Sequence, residues 1–272
     1  MARPGAGRNR NPERTLGTLS LAMREWITGR NPVYEVLRAG RRIAHRLLLA
    51  EGAQVKGRLG EILELCQRKN IECAQVPRHK LDNLAPGNQG VALETGAYPY
   101  SGLADIFQLA AAREEPLFVL LLDALQDPQN LGTLLRSAEI VGVHGVVLPH
   151  RRAASVTPAV VNASSGASEH LLIAQANLAQ TIKTLKEQGA WVVGLENRPG
   201  AKSPGDVRLD GPLALVVGSE GEGMRPLVRN SCDFLLRLPM RGRVESLNAS
   251  VAGSVALYLA WQRRGFAGTL SG

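Results

Sequence analysis

The chain has 272 residues, 44% hydrophobic, 21% charged and 4% aromatic, with 32 Lys and Arg against 24 Asp and Glu for a net charge of +8. This is the composition of a globular protein with enough apolar material for a full core, and it excludes a transmembrane reading, since no apolar run approaches the ~20 residues that span a bilayer. The first twenty residues lack the apolar core of a signal peptide, and Cys66, Cys73 and Cys232 are too few and scattered for a disulfide framework or a zinc site, so a cytoplasmic protein with reduced thiols is expected.

The charge is uneven. Residues 1–104 carry 16 Lys and Arg against 9 Asp and Glu, a net of +7, whereas the rest is nearly balanced at +1. A basic first third suggests a polyanion-binding module, although an arginine-rich solvated tail would give the same number. The low aromatic content argues against a single-strand stacking platform. Residues 1–23 read as a disordered basic arm, with Arg3, Arg8 and Arg10 among Gly and Pro. The folded part is expected from about Trp26. Asn31-Pro32 predicts a helix start, with Asn31 as N-cap and Pro32 in first position, and Gly40 ends that helix. A strand is predicted over 46–50, a helix over 57–70, and strands over 71–76 and 91–93. These units form a small basic α/β domain, 24–95. The composition of 96–114, with Gly96, Tyr98-Pro99-Tyr100 and Gly102, predicts a linker that ends in a short helix over 105–112.

From 115 to 272 strands and helices alternate. Strands are predicted over 117–122, 145–148, 171–174, 191–195, 213–217 and 234–238. Helices are predicted near 131–141, 157–163, 178–188, 225–231 and 246–263. Repeated βα units imply an α/β domain with a parallel sheet and helices on both faces.

Ligands of such sheets gather at the strand ends, and three ends have unusual content. After the first strand come Asp123, Asp127-Pro128, Asn130, Gly132 and Arg136. Arg136, in the second turn of the following helix, could reach back to the loop and hold a phosphate, or simply pair with Asp127 or Glu139. After the strand over 213–217 comes Gly218-Ser219-Glu220-Gly221-Glu222-Gly223. Three glycines in six residues let backbone approach a ligand closely, or make a mobile turn. The spacing is neither a dinucleotide fingerprint nor a P-loop. Two carboxylates disfavour anionic phosphates, so a nucleoside without phosphates is expected. The third end, 238–250, holds Leu238, Ser246, Leu247, Asn248 and Ser250 before a helix of small residues. Ser246 is the expected N-cap there.

Together the three segments resemble the three motifs of the SpoU family, within the SPOUT superfamily of RNA methyltransferases, over residues 115–265. The resemblance implies a SPOUT domain with a C-terminal trefoil knot, a departure from the usual absence of knots. It implies that the glycine loop and the last loop hold S-adenosylmethionine, with Gly218, Leu238 and Leu247 as cofactor contacts. Asn130, Arg136, Glu220, Ser246 and Asn248 match the family's active-site positions. In the first domain, Gly29-Arg30-Asn31-Pro32 and Asn88-Gln89-Gly90 resemble the small RNA-binding domain, itself similar to some ribosomal proteins, that is fused to ribosomal members.

The activity so implied is methyl transfer to a ribose 2'-hydroxyl, most simply of a guanosine in 23S rRNA. A tRNA substrate and an inert RNA-binding protein of the same fold are the alternatives. A homodimer through the SPOUT domain is expected, with the small residues of 246–263 permitting close helix approach. No metal and no membrane are implied. An arginine is a poor general base, because a guanidinium stays protonated far above neutral pH. Arg136 is therefore expected either to clamp a phosphate or to work with Glu220.

Overall fold

The first sheet is built from β1 (Glu25–Thr28), β2 (Ala44–Ala50), β3 (Glu72–Val76) and β4 (Val91–Thr95), in the order β1-β4-β2-β3. The computed structural model describes residues 24–151, 153–244 and 246–269, so the arm expected over 1–23 lies outside it. β4 is antiparallel to both its neighbours, while β2 and β3 are parallel. A parallel pair needs a crossover, and α2 (Arg58–Arg68) supplies it. α1 (Arg30–Ala39) packs on α2, with Val33, Val36 and Leu37 joining Leu59, Ile62 and Cys66 in the core at helical spacing.

Asn31 is not the cap of α1. The N-cap is Gly29, and the Arg30 amide donates to Gln89 Oε1 at 2.9 Å. The turn at 88–90 thus takes over the capping role from across the sheet. β1 and the five-residue α3 (Arg78–Asp82) have no counterpart in the predicted elements, being too short to show a period.

The second sheet contains β5 (Phe118–Leu122), β6 (Gly145–Leu148), β7 (Ile173–Gln175), β8 (Trp191–Leu195), β9 (Leu213–Val217) and β10 (Phe234–Leu236). Their order is β10-β8-β9-β5-β6-β7, and every pair is parallel. β5 and β9 are buried along their whole length, as continuous apolar runs require. The sheet is flanked by α4 (Leu103–Ala112), α5 (Pro128–Ile140), α6 (Pro158–Ala163), α7 (Leu178–Glu187), α8 (Pro226–Asn230) and α9 (Ala249–Arg263). α5 starts earlier than expected because Asp127 caps it, accepting from the Gln129 and Asn130 amides, with Pro128 in first position. No described helix is long and apolar enough to cross a membrane.

The two sheets are firmly joined, and the stretch 96–114 is packed rather than free. Tyr98 is buried, and its hydroxyl lies 3.0 Å from the Ser168 carbonyl and 2.9 Å from that of Leu171. The Ser101 amide donates to Ile173 at 2.8 Å. One apolar cluster runs from Val33 and Leu47 in the first unit through to Leu131 and Val160 in the second.

Candidate functional site

β8, β9 and β5 are adjacent, so the loops that leave their C-terminal ends are neighbours. The loop after β9 folds back on itself: the Ser219 amide donates to Gly223 O, and the Gly223 amide to Ser219 O, each at 3.1 Å. Gly221 (φ 80°) and Gly223 (φ 68°) supply the left-handed backbone that this reversal needs. Gly218 has a different reason to be glycine. A methyl group there would fall on the Gly223–Met224 backbone, 2.6 Å from the Gly223 carbonyl oxygen. The far end of the loop is pinned to β5. Buried Asp123 accepts from the Arg225 amide at 2.8 Å and from Arg225 Nε at 2.7 Å.

A cavity of about 470 Å³ opens at this loop. Gly218, Glu220, Leu238, Ser246, Leu247 and Asn248, which the sequence singled out, all line it. Its described lining holds three carboxylates, Glu196, Glu220 and Glu222, and no lysine or arginine. Glu196 is offset by Arg229 Nη1 at 3.5 Å and Arg198 Nη1 at 3.9 Å, whereas Glu220 and Glu222 have no cationic partner among the described residues, so the potential there favours a cation and repels a pyrophosphate.

At the mouth of the cavity three distant residues meet. Asn130 Nδ2 donates to Glu220 Oε1 at 3.0 Å, Asn248 Nδ2 donates to Asn130 Oδ1 at 3.1 Å, and Asn248 also bonds Glu220 Oε1. Asn248 caps α9 as well, its Oδ1 accepting from the Ser250 amide at 2.9 Å and the Val251 amide at 3.2 Å. Ser246, expected as that cap, lies two residues upstream in the loop. Leu238 likewise lies beyond β10, which ends at Leu236.

Arg136 is elsewhere. Its Nη1 donates to Ser165 Oγ at 3.2 Å, and it lines a second cleft, facing α1. Among the described residues it pairs with neither Asp127, Glu139 nor Glu220. The idea that Glu220 organises Arg136 is therefore corrected: Glu220 is engaged by the two asparagines.

Sequence reasoning missed Glu196, which follows β8. It lines the cavity; its Oε1 faces Arg229 Nη1 at 3.5 Å, and its buried Oε2 has no hydrogen-bond partner among the described residues. The rule that ligands sit at parallel strand ends would have found it, had it been applied to β8 as well as to its neighbours.

Comparison with known proteins places this geometry in a class. Residues 117–258 match the SpoU rRNA Methylase family, and residues 26–101 match a domain described as RNA 2'-O ribose methyltransferase substrate binding. The chain belongs to the SpoU family of RNA methyltransferases. YacO of Bacillus subtilis strain 168, assigned to the TrmH family of tRNA/rRNA methyltransferases, is 44% identical over 245 residues, covering 88% of this chain and 96% of its own. A TrmH family relative from Staphylococcus aureus strain COL is 42% identical over 240 residues, covering 88% and 96%. Among solved structures, the SpoU methyltransferase AviRb from Streptomyces viridochromogenes, in complex with AdoMet, shares the fold with a TM-score of 0.73 at 23% identity, over 89% of this chain and 91% of that one.

Proposed function

We propose that this chain transfers the methyl group of S-adenosylmethionine to a ribose 2'-hydroxyl in RNA, with a guanosine of 23S rRNA as substrate. The acidic cavity at the glycine loop carries the reading. Its volume suits a small-molecule site, and Glu220 and Glu222, with no basic residue in the described lining, suit a nucleoside bearing a positive sulfonium. The residues present fit such a ligand. Gly218, Leu238 and Leu247 offer backbone and apolar walls, and the free Oε2 of Glu196 offers an acceptor for a ligand hydroxyl or ammonium. The AdoMet seen with AviRb, on the same fold, supports the assignment.

When bound, S-adenosylmethionine supplies a methyl group already activated on a positive sulfur. The chain's own part is placement and proton handling. Holding the acceptor oxygen in line can supply roughly 7–11 kcal/mol of the barrier in well-oriented cases. The 2'-hydroxyl must lose its proton as the new O–C bond forms. Glu220, fixed by Asn130 and Asn248 at the mouth of the cavity, is the group we assign to receive it. Arg136 cannot, because a guanidinium offers only N–H donors and no acceptor. Free of a carboxylate partner among the described residues, it holds an RNA phosphate and so orients the ribose. Ser246 and Leu247 shape the last loop around the ligand.

We further read the protein as a homodimer. The inner face of α9, with Ser250, Gly253, Ala256 and Ala260, is buried within the chain, whereas Val251, Val255 and Tyr258 stay exposed on its outer face beside Phe266. An apolar patch of this kind marks an association surface, and twofold pairs are the commonest assemblies. Light scattering at micromolar concentration should give twice the chain mass; a monomer contradicts this assignment.

Calorimetry tests the cofactor. S-adenosylmethionine and its demethylated product should bind, and NAD and ATP should not; tight NAD binding with no response to S-adenosylmethionine overturns the reading. Arg136→Ala should abolish methyl transfer while leaving cofactor affinity within about tenfold, or ~1.4 kcal/mol. Arg136→Lys should be nearly as poor, lacking the planar fork. Near-normal turnover by Arg136→Ala would contradict the phosphate role.

A further inference from the structure

A cleft of about 340 Å³ lies between α1 and α2 of the first unit and α5 with the 164–170 turn of the second. Resting on the RNA methyl-transfer reading above, we propose that this cleft seats a phosphodiester of the RNA substrate, and that Arg38 and Arg58 bind it from the side opposite Arg136.

The charged lining is Arg38, Arg58, Arg136 and His170 against Glu35 and Glu139. Glu35 is already engaged, its Oε2 lying 2.7 Å from His170 Nε2 and 3.6 Å from Arg38 Nη1. Arg38 and Arg136 are less committed. Among the described residues the Arg38 side chain, 63% exposed, has only that long contact, and Arg136 has only the Ser165 hydroxyl. Arg58 pairs with Glu61 at 2.6 Å and lies 4.0 Å over the Tyr34 ring, which holds its guanidinium plane at the cleft wall. Three guanidinium groups on three helices are therefore directed at one polar space. Planar forks of this kind match phosphate oxygens. The acidic cavity at the glycine loop could not accept the same anion.

Such a site works only if the two units keep a fixed relation, and they are locked. Arg42, on the first unit, has no exposed side-chain surface and donates from Nε to fully buried Glu169 of the second at 3.0 Å, and from Nη1 to Glu25 at 2.6 Å. Arg41 reaches the Leu171 carbonyl and donates from Nη2 to Pro99 O at 3.0 Å. Asn162 Nδ2 donates to Thr28 Oγ1 at 3.3 Å. The floor of the cleft is equally close-fitted. Gly166 (φ 88°) lies under Glu35, where a methyl group would come within 2.5 Å of the Glu35 Cβ. The helices that carry Arg38 and Arg58 are thus set opposite Arg136 before any RNA arrives, so only side chains, and not the two units, are ordered on binding.

The test uses the full chain and deproteinised 23S rRNA, with affinity measured across about 50 to 200 mM salt. Losing the grip on that one phosphate should make the slope of log K against log salt shallower by about 0.7 to 0.9. The Arg38→Ala/Arg58→Ala double variant should show that change and bind rRNA at least tenfold more weakly at the middle of the range. Its S-adenosylmethionine affinity should match the wild type, which also reports that it is folded. Arg38→Lys/Arg58→Lys should keep most of the slope. Arg68→Ala, at the exposed far end of α2, should leave it unchanged. A wild-type slope in the alanine double variant overturns the proposal, and so does an equal change from Arg68→Ala, which would mean a diffuse basic face. Failure of the wild-type chain to methylate rRNA would instead overturn the reading on which the proposal rests, and the slope comparison would still stand.

Discussion

His144 is a buried titratable group with a defined tautomer. The Phe118 amide donates to its Nδ1 at 3.0 Å, so that nitrogen carries a lone pair, and Nε2 faces Glu115 at 3.0 Å. Burial holds its pKa below the ordinary 6.5, against an upward pull from Glu115. The unfolded chain therefore takes up this proton at higher pH than the folded one. The stability tied to neutral His144 is present above about pH 6.5 and is lost as the pH falls below it toward the folded value. We expect the urea midpoint to fall with acidification in that window and the His144→Gln variant to show a flatter dependence; an unchanged slope contradicts this. His144 was legible in the sequence only as a histidine without metal-ligand spacing. Its role depends on an amide 26 positions away.

At the scale of elements, the continuous apolar runs of β5 and β9 were plain in the sequence, because strands buried on both faces need an unbroken apolar stretch. The caps were not. In Ser246-Leu247-Asn248-Ala249-Ser250 several residues can cap, and the choice of Asn248 depends on Asn130 and Glu220, which only the folded sheet brings near. This dual duty can be separated. Asn248→Ala should lose the cap, at about 1 kcal/mol, together with methyl transfer. Asn248→Ser keeps a good capping acceptor but removes the amide that Asn130 and Glu220 accept from, so it should melt closer to the wild type while remaining inactive. Equal melting losses in the two variants would contradict the capping account. Gly218 gives a second check at this scale. Gly218→Ala has backbone, not a flexible side chain, in the way of its methyl, so it should weaken S-adenosylmethionine binding at least tenfold. Wild-type affinity would show that the loop moves freely.

For the whole molecule, the alternation of strands and helices and the motif order revealed two α/β units, whereas their union was hidden. Tyr98-Pro99-Tyr100 has the composition of a linker, and nothing local says that Tyr98 is held by the Ser168 and Leu171 carbonyls. The trefoil threading implied by the family resemblance likewise has no local signal. Burial by itself would lower the Arg42 pKa, but its bonds to Glu169 and Glu25 raise it above the ordinary value, so the guanidinium stays charged at the junction. Removing one partner of such a buried pair typically costs about 3–5 kcal/mol. Arg42→Ala should show a loss of that order in chemical denaturation, and Arg42→Met/Glu169→Leu should recover most of it. A loss below about 1 kcal/mol, the range of surface pairs, would mean that the junction is not held there.

The measurement that bears most directly on the whole account is mass mapping of ribose methylation in deproteinised 23S rRNA and in tRNA after incubation with the full chain and S-adenosylmethionine. The account predicts a new 2'-O-methylguanosine in 23S rRNA that is absent with Arg136→Ala. Ribose methylation confined to tRNA would contradict the substrate assignment, and no ribose methylation in either RNA would contradict the activity itself.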